Sequence, residues 1–207
     1  MMRLSATAII HILVLTLWFT NSYAVEPPTK NKHKFINLIE NSKLQYRPPS
    51  LFEAIYEHNY TYIDKFQPDQ LYYQFAQKSK TTDIEIRYFI QPYLAYREKV
   101  RGTPAEEEFR YWTKAITFQL TADNHFNAEL YDEIDVIKDY HADLLFRSTF
   151  KVKKEFSPHH KFCLLIAIYK KMAGEAYVFI LFNDKKELDL EITNNNILNT
   201  ISFKGGG

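Results

Sequence analysis

The sequence predicts an α+β fold, with N-terminal helices packed on a curled C-terminal antiparallel sheet. Three observations carry that prediction. Helix-start chemistry is confined to the first half, at Ser50 with Glu53 and at Thr103-Pro104 with Glu106. Beyond Ile116, apolar residues recur at every second position or in continuous runs, the two signatures of strands. The breaks between those runs, around Gly174 and at Asn183 to Lys186, are short enough for an antiparallel meander.

Taken in order, residues 1–24 read as a secretory signal peptide. Arg3 precedes an apolar run from Leu4 to Phe19, and Ser22 and Ala24 place small residues at the two positions a signal peptidase inspects. The run is short for a bilayer span and is diluted by Ser5, Thr7, His11 and Thr16, so no stable membrane span is expected after cleavage. The predicted location is therefore exported, periplasmic or extracellular. Residues 25–34, with Pro27-Pro28 and Lys30, Lys32 and Lys34, read as a flexible leader. Residues 35–204 form one α+β domain, and the glycines at 205–207 a disordered tail.

Within the domain, Phe35, Leu38 and Ile39 have helical spacing. Ser50 and Glu53 make a capping-box pattern ahead of a helix carrying Leu51, Phe52, Ile55 and Tyr56, and a short helix is expected over 69–78. Residues 82–101 read both ways: Ile84, Ile86 and Tyr88 alternate like a strand, while Tyr93, Tyr96 and Val100 suit a helix. The next helix has Thr103 as N-cap, Pro104 in its first turn, and a buried stripe of Phe109, Trp112 and Ile116. Leu144, Phe146, Phe150 and Val152 alternate with Arg147, Thr149, Lys151 and Lys153, a strand with one wet face. Phe162 to Tyr169 and Tyr177 to Phe182 are expected as buried strands. Leu188, Leu190 and Ile192, alternating with Asp189, Glu191 and Thr193, predict another, and 200–204 the last. In outline, residues 50 to 204 resemble the nuclear-transport-factor-2-like (NTF2-like) or cystatin-like α+β roll. That resemblance implies a sheet concavity able to hold a small ligand or a partner; it brings no motif and no site residue.

Composition excludes several functions. Cleavage after Ala24 leaves 183 residues, enough to bury about 70% of the unfolded surface as one domain. It removes Arg3 and no acid, leaving 25 basic and 25 acidic side chains, so nothing draws the chain to nucleic acid. Only Gly102 and Gly174 lie inside the domain, which excludes phosphate-cradling loops, dinucleotide fingerprints and nucleophile elbows. No cofactor is expected. Cys163 is the only cysteine, set in an apolar run, and reads as a buried side chain.

Four clusters carry the remaining chemistry. Glu129, Asp132, Glu133, Asp135, Asp139 and Asp143 surround His141. If 127–140 is helical, Leu130, Ile134 and Ile137 face the core; if its end is extended, Asp139, His141 and Asp143 share a face as candidate acid–base residues. His159 and His160 beside Cys163 are candidate metal ligands, though no paired motif completes the set. Arg147, Lys151, Lys153 and Lys154 make a basic stripe whose aromatics fall on the opposite face. Asn59-Tyr60-Thr61 is a glycosylation sequon if the host is eukaryotic. The plainer reading of the acidic and basic clusters is solvated surface. These observations favour an exported non-enzymatic binding or accessory protein acting on a protein partner or a small apolar ligand. A metal-assisted hydrolase and a structural or assembly subunit are the alternatives.

Overall fold

A computed structural model describes residues 28–55, 61–64, 67–94, 102–122, 129–131 and 138–205. The signal peptide at 1–24, the sequon at Asn59, and Asp132, Glu133 and Asp135 lie outside the described residues. Among the described residues no helix is long and apolar enough to cross a membrane.

The chain is mixed α+β, and its largest element is an open, fully antiparallel seven-stranded sheet. The elements in chain order are α1 (Pro28–Asn41), β1 (Leu44–Tyr46), β2 (Phe52–Ala54), β3 (Thr61–Asp64), β4 (Gln67–Tyr72), β5 (Phe75–Ser79) and β6 (Glu85–Pro92). There follow α2 (Ala105–Leu120), β7 (Glu129–Tyr131), β8 (Leu144–Lys151), β9 (Phe162–Lys170), β10 (Gly174–Phe182), α3 (Lys185–Asn195), a 3-10 turn at Ile197–Asn199, and β11 (Ile201–Phe203). The large sheet runs β2-β5-β6-β10-β9-β8-β7, while β1 pairs with β11 and β3 with β4 in separate ribbons.

Strands β9 and β10 lie at the middle, and every residue of β10 is buried. Their continuous apolar sequence is what burial on both faces requires. Period-two alternation then sorts their side chains into two cores. Ile166, Ile168, Val178 and Ile180 join Ile86 and Ile90 of β6 on one face, covered by α1, α3 and the β1–β11 ribbon. Leu165, Ala167, Phe179 and Leu181 point the other way, against Phe109, Ile116 and Leu120 of α2. Each fully buried side chain of this size contributes about 1.5–3 kcal/mol, so the two half-cores are of comparable weight.

The expectation of helices covering one face of a curled sheet is thus corrected. Among the described residues both faces are filled, and no aromatic-lined concavity is left on either. Four local expectations are also corrected. Ser50 does not cap a helix: its hydroxyl bonds Asn195, Leu51 takes a left-handed φ of 62°, and 52–54 pairs with β5 as a strand. Residues 69–78 form parts of β4 and β5, because Phe75, Ala76 and Gln77 are buried in succession, which needs two covered faces. The 188–192 alternation belongs to α3: Asp184 caps the helix by accepting from Lys186 N, and Leu188 is buried while Leu190 is exposed. Among the described residues of 127–140, Glu129–Tyr131 is strand and 138–140 is helical.

Two smaller differences follow. The expected leader 25–34 is helical from Pro28 onward, held by the docking of Phe35 and Ile39 into the core. Helix α2 begins at Ala105 with Pro104 in the N-cap position and no side-chain cap from Thr103. Ile86 and Tyr88 take the strand reading in β6, with Ile84 just before it, while Tyr96 and Val100 of the helix reading lie outside the described residues; Arg147, Thr149, Lys151 and Lys153 do line a wetter face of β8 and its extension.

Candidate functional site

The candidate acid–base residues do not converge. Asp139 and His141 are exposed, and His141 sits in a left-handed turn (φ 50°) with its backbone carbonyl accepting from Lys170 Nζ at 2.9 Å. Asp143, just before β8, is exposed and its carboxylate accepts from Lys171 N at 2.8 Å, which fastens it to the turn between β9 and β10. The two histidines also part company. His159 is exposed and its carbonyl accepts from Asn183 Nδ2 at 2.9 Å, whereas His160 is buried. Cys163 is fully buried on β9, and burial pushes its thiol far up from the ordinary range. Among the described residues, no group of three or more His, Cys, Asp or Glu side chains is placed to hold a metal ion.

His160 does have a constellation around it, one invisible in the spacing. The loop between β8 and β9 folds Phe156 and Ser157 inward, and Ser157 Oγ lies 2.7 Å from His160 Nδ1. On the other side of the ring, Nε2 is buried without a hydrogen-bond partner, 4.0 Å from Asp83 Oδ1. Asp83, just before β6, accepts from Asn183 Nδ2 at 2.7 Å and pairs with Lys78 at 3.2 Å. Beside it Arg87 donates to Glu85 and to the Phe156 carbonyl, both at 2.5 Å, with its guanidinium 4.7 and 4.8 Å from the Tyr73 and Phe156 ring centres.

Serine, histidine and aspartate are the residue types of a hydrolytic triad, but the geometry here is that of a loop anchor. Ser157 has no solvent-exposed surface, and no substrate carbonyl reaches its oxygen. Burial lowers the His160 pKa against the raising effect of Glu85 and Asp83, so the ring is held neutral. For Asp83, burial acts upward but is outweighed by the Lys78 and Asn183 hydrogen bonds, and its pKa is lowered. The cluster ties the β8–β9 loop to the β5–β6 end of the sheet.

A buried carboxylate, Glu191 of α3, is cradled by the β5–β6 turn. Its Oε1 accepts from Ser79 Oγ and Thr82 Oγ1, both at 2.7 Å, and from Thr81 Oγ1 at 3.4 Å, while Oε2 accepts from Asn195 Nδ2 at 2.5 Å. Burial raises its pKa, but these four donors together lower it below the ordinary value. This too is a fastening.

Open features gather around α2. A cleft of about 40 Å³ lies between its first turn and the ends of β6 and β10, lined among others by Tyr93, Leu94, Glu108, Tyr169 and Glu175. That space holds two or three waters, far short of the roughly 300 Å³ of an ordinary ligand pocket. Beside it, a wide-open groove of about 440 Å³ runs along Gly102 to Glu106, Tyr169 and Lys171, with polar and apolar groups mixed in its lining.

The outward face of α2 is different in kind. Phe109, Thr113, Ile116 and Leu120 are buried against the sheet, and the opposite side carries Tyr111, Ala115 and Phe118. At 100° per residue these three fall within about 60° of one another, on the face away from the core. Tyr111 is 68% exposed and Phe118 60%. Trp112 flanks them, half-buried, with its ring 5.8 Å from that of Tyr111 and its indole nitrogen donating to Glu108 Oε1 at 3.2 Å. Two large aromatics are thus exposed on one stripe of a helix whose other side is buried.

Sequence reasoning passed over Tyr111 and Phe118 because it projected only the core stripe of this helix. Turning the same projection by half a turn finds them. Asp83, Arg87 and Glu191 had no such signal, since they meet His160, Phe156 and Ser79 from 69 to 112 residues away. No family model, curated protein or solved structure matches the chain.

Proposed function

We propose that the chain is an exported, non-enzymatic accessory protein that acts by docking a protein partner on the outward face of α2. The observation that supports this reading is the exposed stripe Tyr111–Ala115–Phe118 on a helix whose other side is locked into the core. Aromatic anchors on a rigid element are the composition of interface hot spots. A protein partner is favoured over a small apolar ligand because both sheet faces are filled and the cleft at α2 is small. The NTF2-like or cystatin-like roll belongs to this same proposal, supported by the order of a docked first helix and then long antiparallel strands.

The test is native mass spectrometry of the chain recovered from its host's exported fraction, beside a Tyr111→Ser/Phe118→Ser double variant. Both positions are exposed, so the variant keeps the fold, checked by circular dichroism. A stoichiometric protein mass on the wild type that is absent from the variant is expected. Bare monomer for both chains overturns the reading.

A further inference from the structure

We infer that the β8–β9 loop is an acid-released latch: neutral His160 holds it closed against the β5–β6 end of the sheet, and a proton on that ring lets residues 153–160 swing away while the sheet stays folded. The neck of the loop is closed by Val152 N donating to the Lys161 carbonyl at 3.0 Å. Beyond the neck the ties are few. Asn183 donates to the His159 carbonyl at 2.9 Å, and Arg87 to that of Phe156 at 2.5 Å. The Phe156 ring meets Phe179 and Tyr73 edge-on, at 5.5 and 6.4 Å between centres. His160 is the remaining tie. Its side chain is 3% exposed, with Nδ1 2.7 Å from Ser157 Oγ and Nε2 buried without a hydrogen-bond partner.

A proton added to this ring finds its counter-charges already taken. The charged groups facing it are Lys78 of β5, Asp83 before β6, and Glu85 and Arg87 of β6. Asp83 Oδ1 pairs with Lys78 at 3.2 Å, its Oδ2 accepts from Asn183 Nδ2 at 2.7 Å, and Glu85 is held by Arg87 at 2.5 Å. A protonated ring therefore makes three cations against two carboxylates, out of reach of water. Its Nε2 lies 4.0 Å from Asp83 Oδ1, beyond hydrogen-bond length. Burial outweighs the pull of Glu85 and Asp83 and lowers the pKa of the ring. In the open loop the ring is hydrated and titrates near its ordinary 6.5, so the open form takes the proton first and falling pH favours it. Among the described residues His160 belongs to no group placed to hold a metal ion, so the proton has no such competitor. Strands β9 and β10 pair along their whole length through backbone groups that do not titrate, which keeps the opening local.

The experiment is amide hydrogen exchange read by mass spectrometry at about pH 7.5 and about pH 5, with labelling times scaled for the intrinsic pH dependence of exchange. Phe156 N and Ser157 N, which both donate to the Lys153 carbonyl at 3.1 Å, report the loop, and residues 164–168 report the sheet. In acid, loop protection is expected to fall roughly five- to thirtyfold, the upper figure applying to a ring that takes its proton only when open. Protection over 164–168 is expected to hold. His160→Gln, which cannot take the proton, is expected to exchange alike at both pH values. Asp83→Asn, at a half-exposed turn position, is expected to keep the fall, because the proton that opens the loop is not on Asp83. Titration of the His160 ring resonances in the unsubstituted chain gives an independent reading, with a midpoint expected below 6.5. Equal loop protection at both pH values, a parallel fall over 164–168, a fall that survives His160→Gln or vanishes in Asp83→Asn, or a ring midpoint at or above 6.5 overturns the inference.

Discussion

Replacing Glu191 is the most searching perturbation of this fold, because its carboxylate is only 2% exposed and joins elements that are distant in sequence. In Glu191→Ala, Ser79, Thr82 and Asn195 lose their charged acceptor and Thr81 a longer contact. A hydrogen bond to a charged group contributes about 1.5–3 kcal/mol. The Ser79 and Thr hydroxyls rotate and recover part of this; Ser79 Oγ already accepts from the backbone N–H groups of Thr81 and Thr82. The net loss expected is about 3–5 kcal/mol, or roughly 10 °C in Tm for a chain of this length. Glu191→Gln keeps the shape and one acceptor oxygen, and is expected to cost about 1–2 kcal/mol.

The pH dependence supplies the decisive reading. The native pKa of Glu191 lies below the ordinary 4.5, so the unfolded chain binds the proton more readily there. The stabilisation is complete above about pH 4.5 and is lost as pH falls through the native value. Urea titrations of wild type and Glu191→Gln should therefore differ most near neutrality and converge in acid. A Glu191→Ala loss under about 0.5 kcal/mol, or a wild-type-to-Gln gap that stays constant or widens as pH falls, would refute the cradle as a stabilising device.

Four further outcomes are expected. Gly174→Ala should destabilise by more than about 2 kcal/mol in chemical denaturation: φ is 132°, and a Cβ there would stand 2.4 Å from the Gln91 carbonyl oxygen, which is backbone and cannot swing aside. Ser157→Ala should cost about 1–2 kcal/mol by leaving His160 Nδ1 unpaired; its retention of full stability would dismiss the loop anchor. Because the native His160 pKa is lowered, the unfolded chain binds the proton first, and this group's contribution should be whole above about pH 6.5 and fall below it; a thermal-melt series in which His160→Gln leaves the slope between pH 5 and 7 unchanged would contradict that sign. The Cys163 thiol should react with an aromatic disulfide reagent only at the rate of global unfolding, and native-state labelling at the speed of a free thiol would contradict its burial.

Periodicity by itself determined the heart of this protein. The runs Phe162 to Tyr169 and Tyr177 to Phe182 admit one environment, a strand with both faces covered, and they occupy the middle of the sheet. Residues 105–120 likewise have an apolar stripe that only a helix aligns. Short segments were another matter. At 52–54 and 188–192 the local pattern fits helix and strand alike over so few residues, and the choice fell to what lay beside them: the exposed edge of β5 for the first, the end of β10 and the Asp184 cap for the second.

The polar residues were decided wholly by tertiary structure. Glu191 was placed on a wet strand face by its sequence and is sealed under α3, because four donors arrive from a turn about 110 residues earlier and a side chain one helical turn later. His160 looked like half of a metal pair and is instead turned inward, away from His159, by Ser157 and Asp83. A side chain's polarity states what partners it needs, and only the fold states which partners come. The outward stripe of α2 sits between these cases. Its spacing is written in residues 111, 115 and 118, but that this side faces solvent follows from which side Phe109, Ile116 and Leu120 bury against β9 and β10.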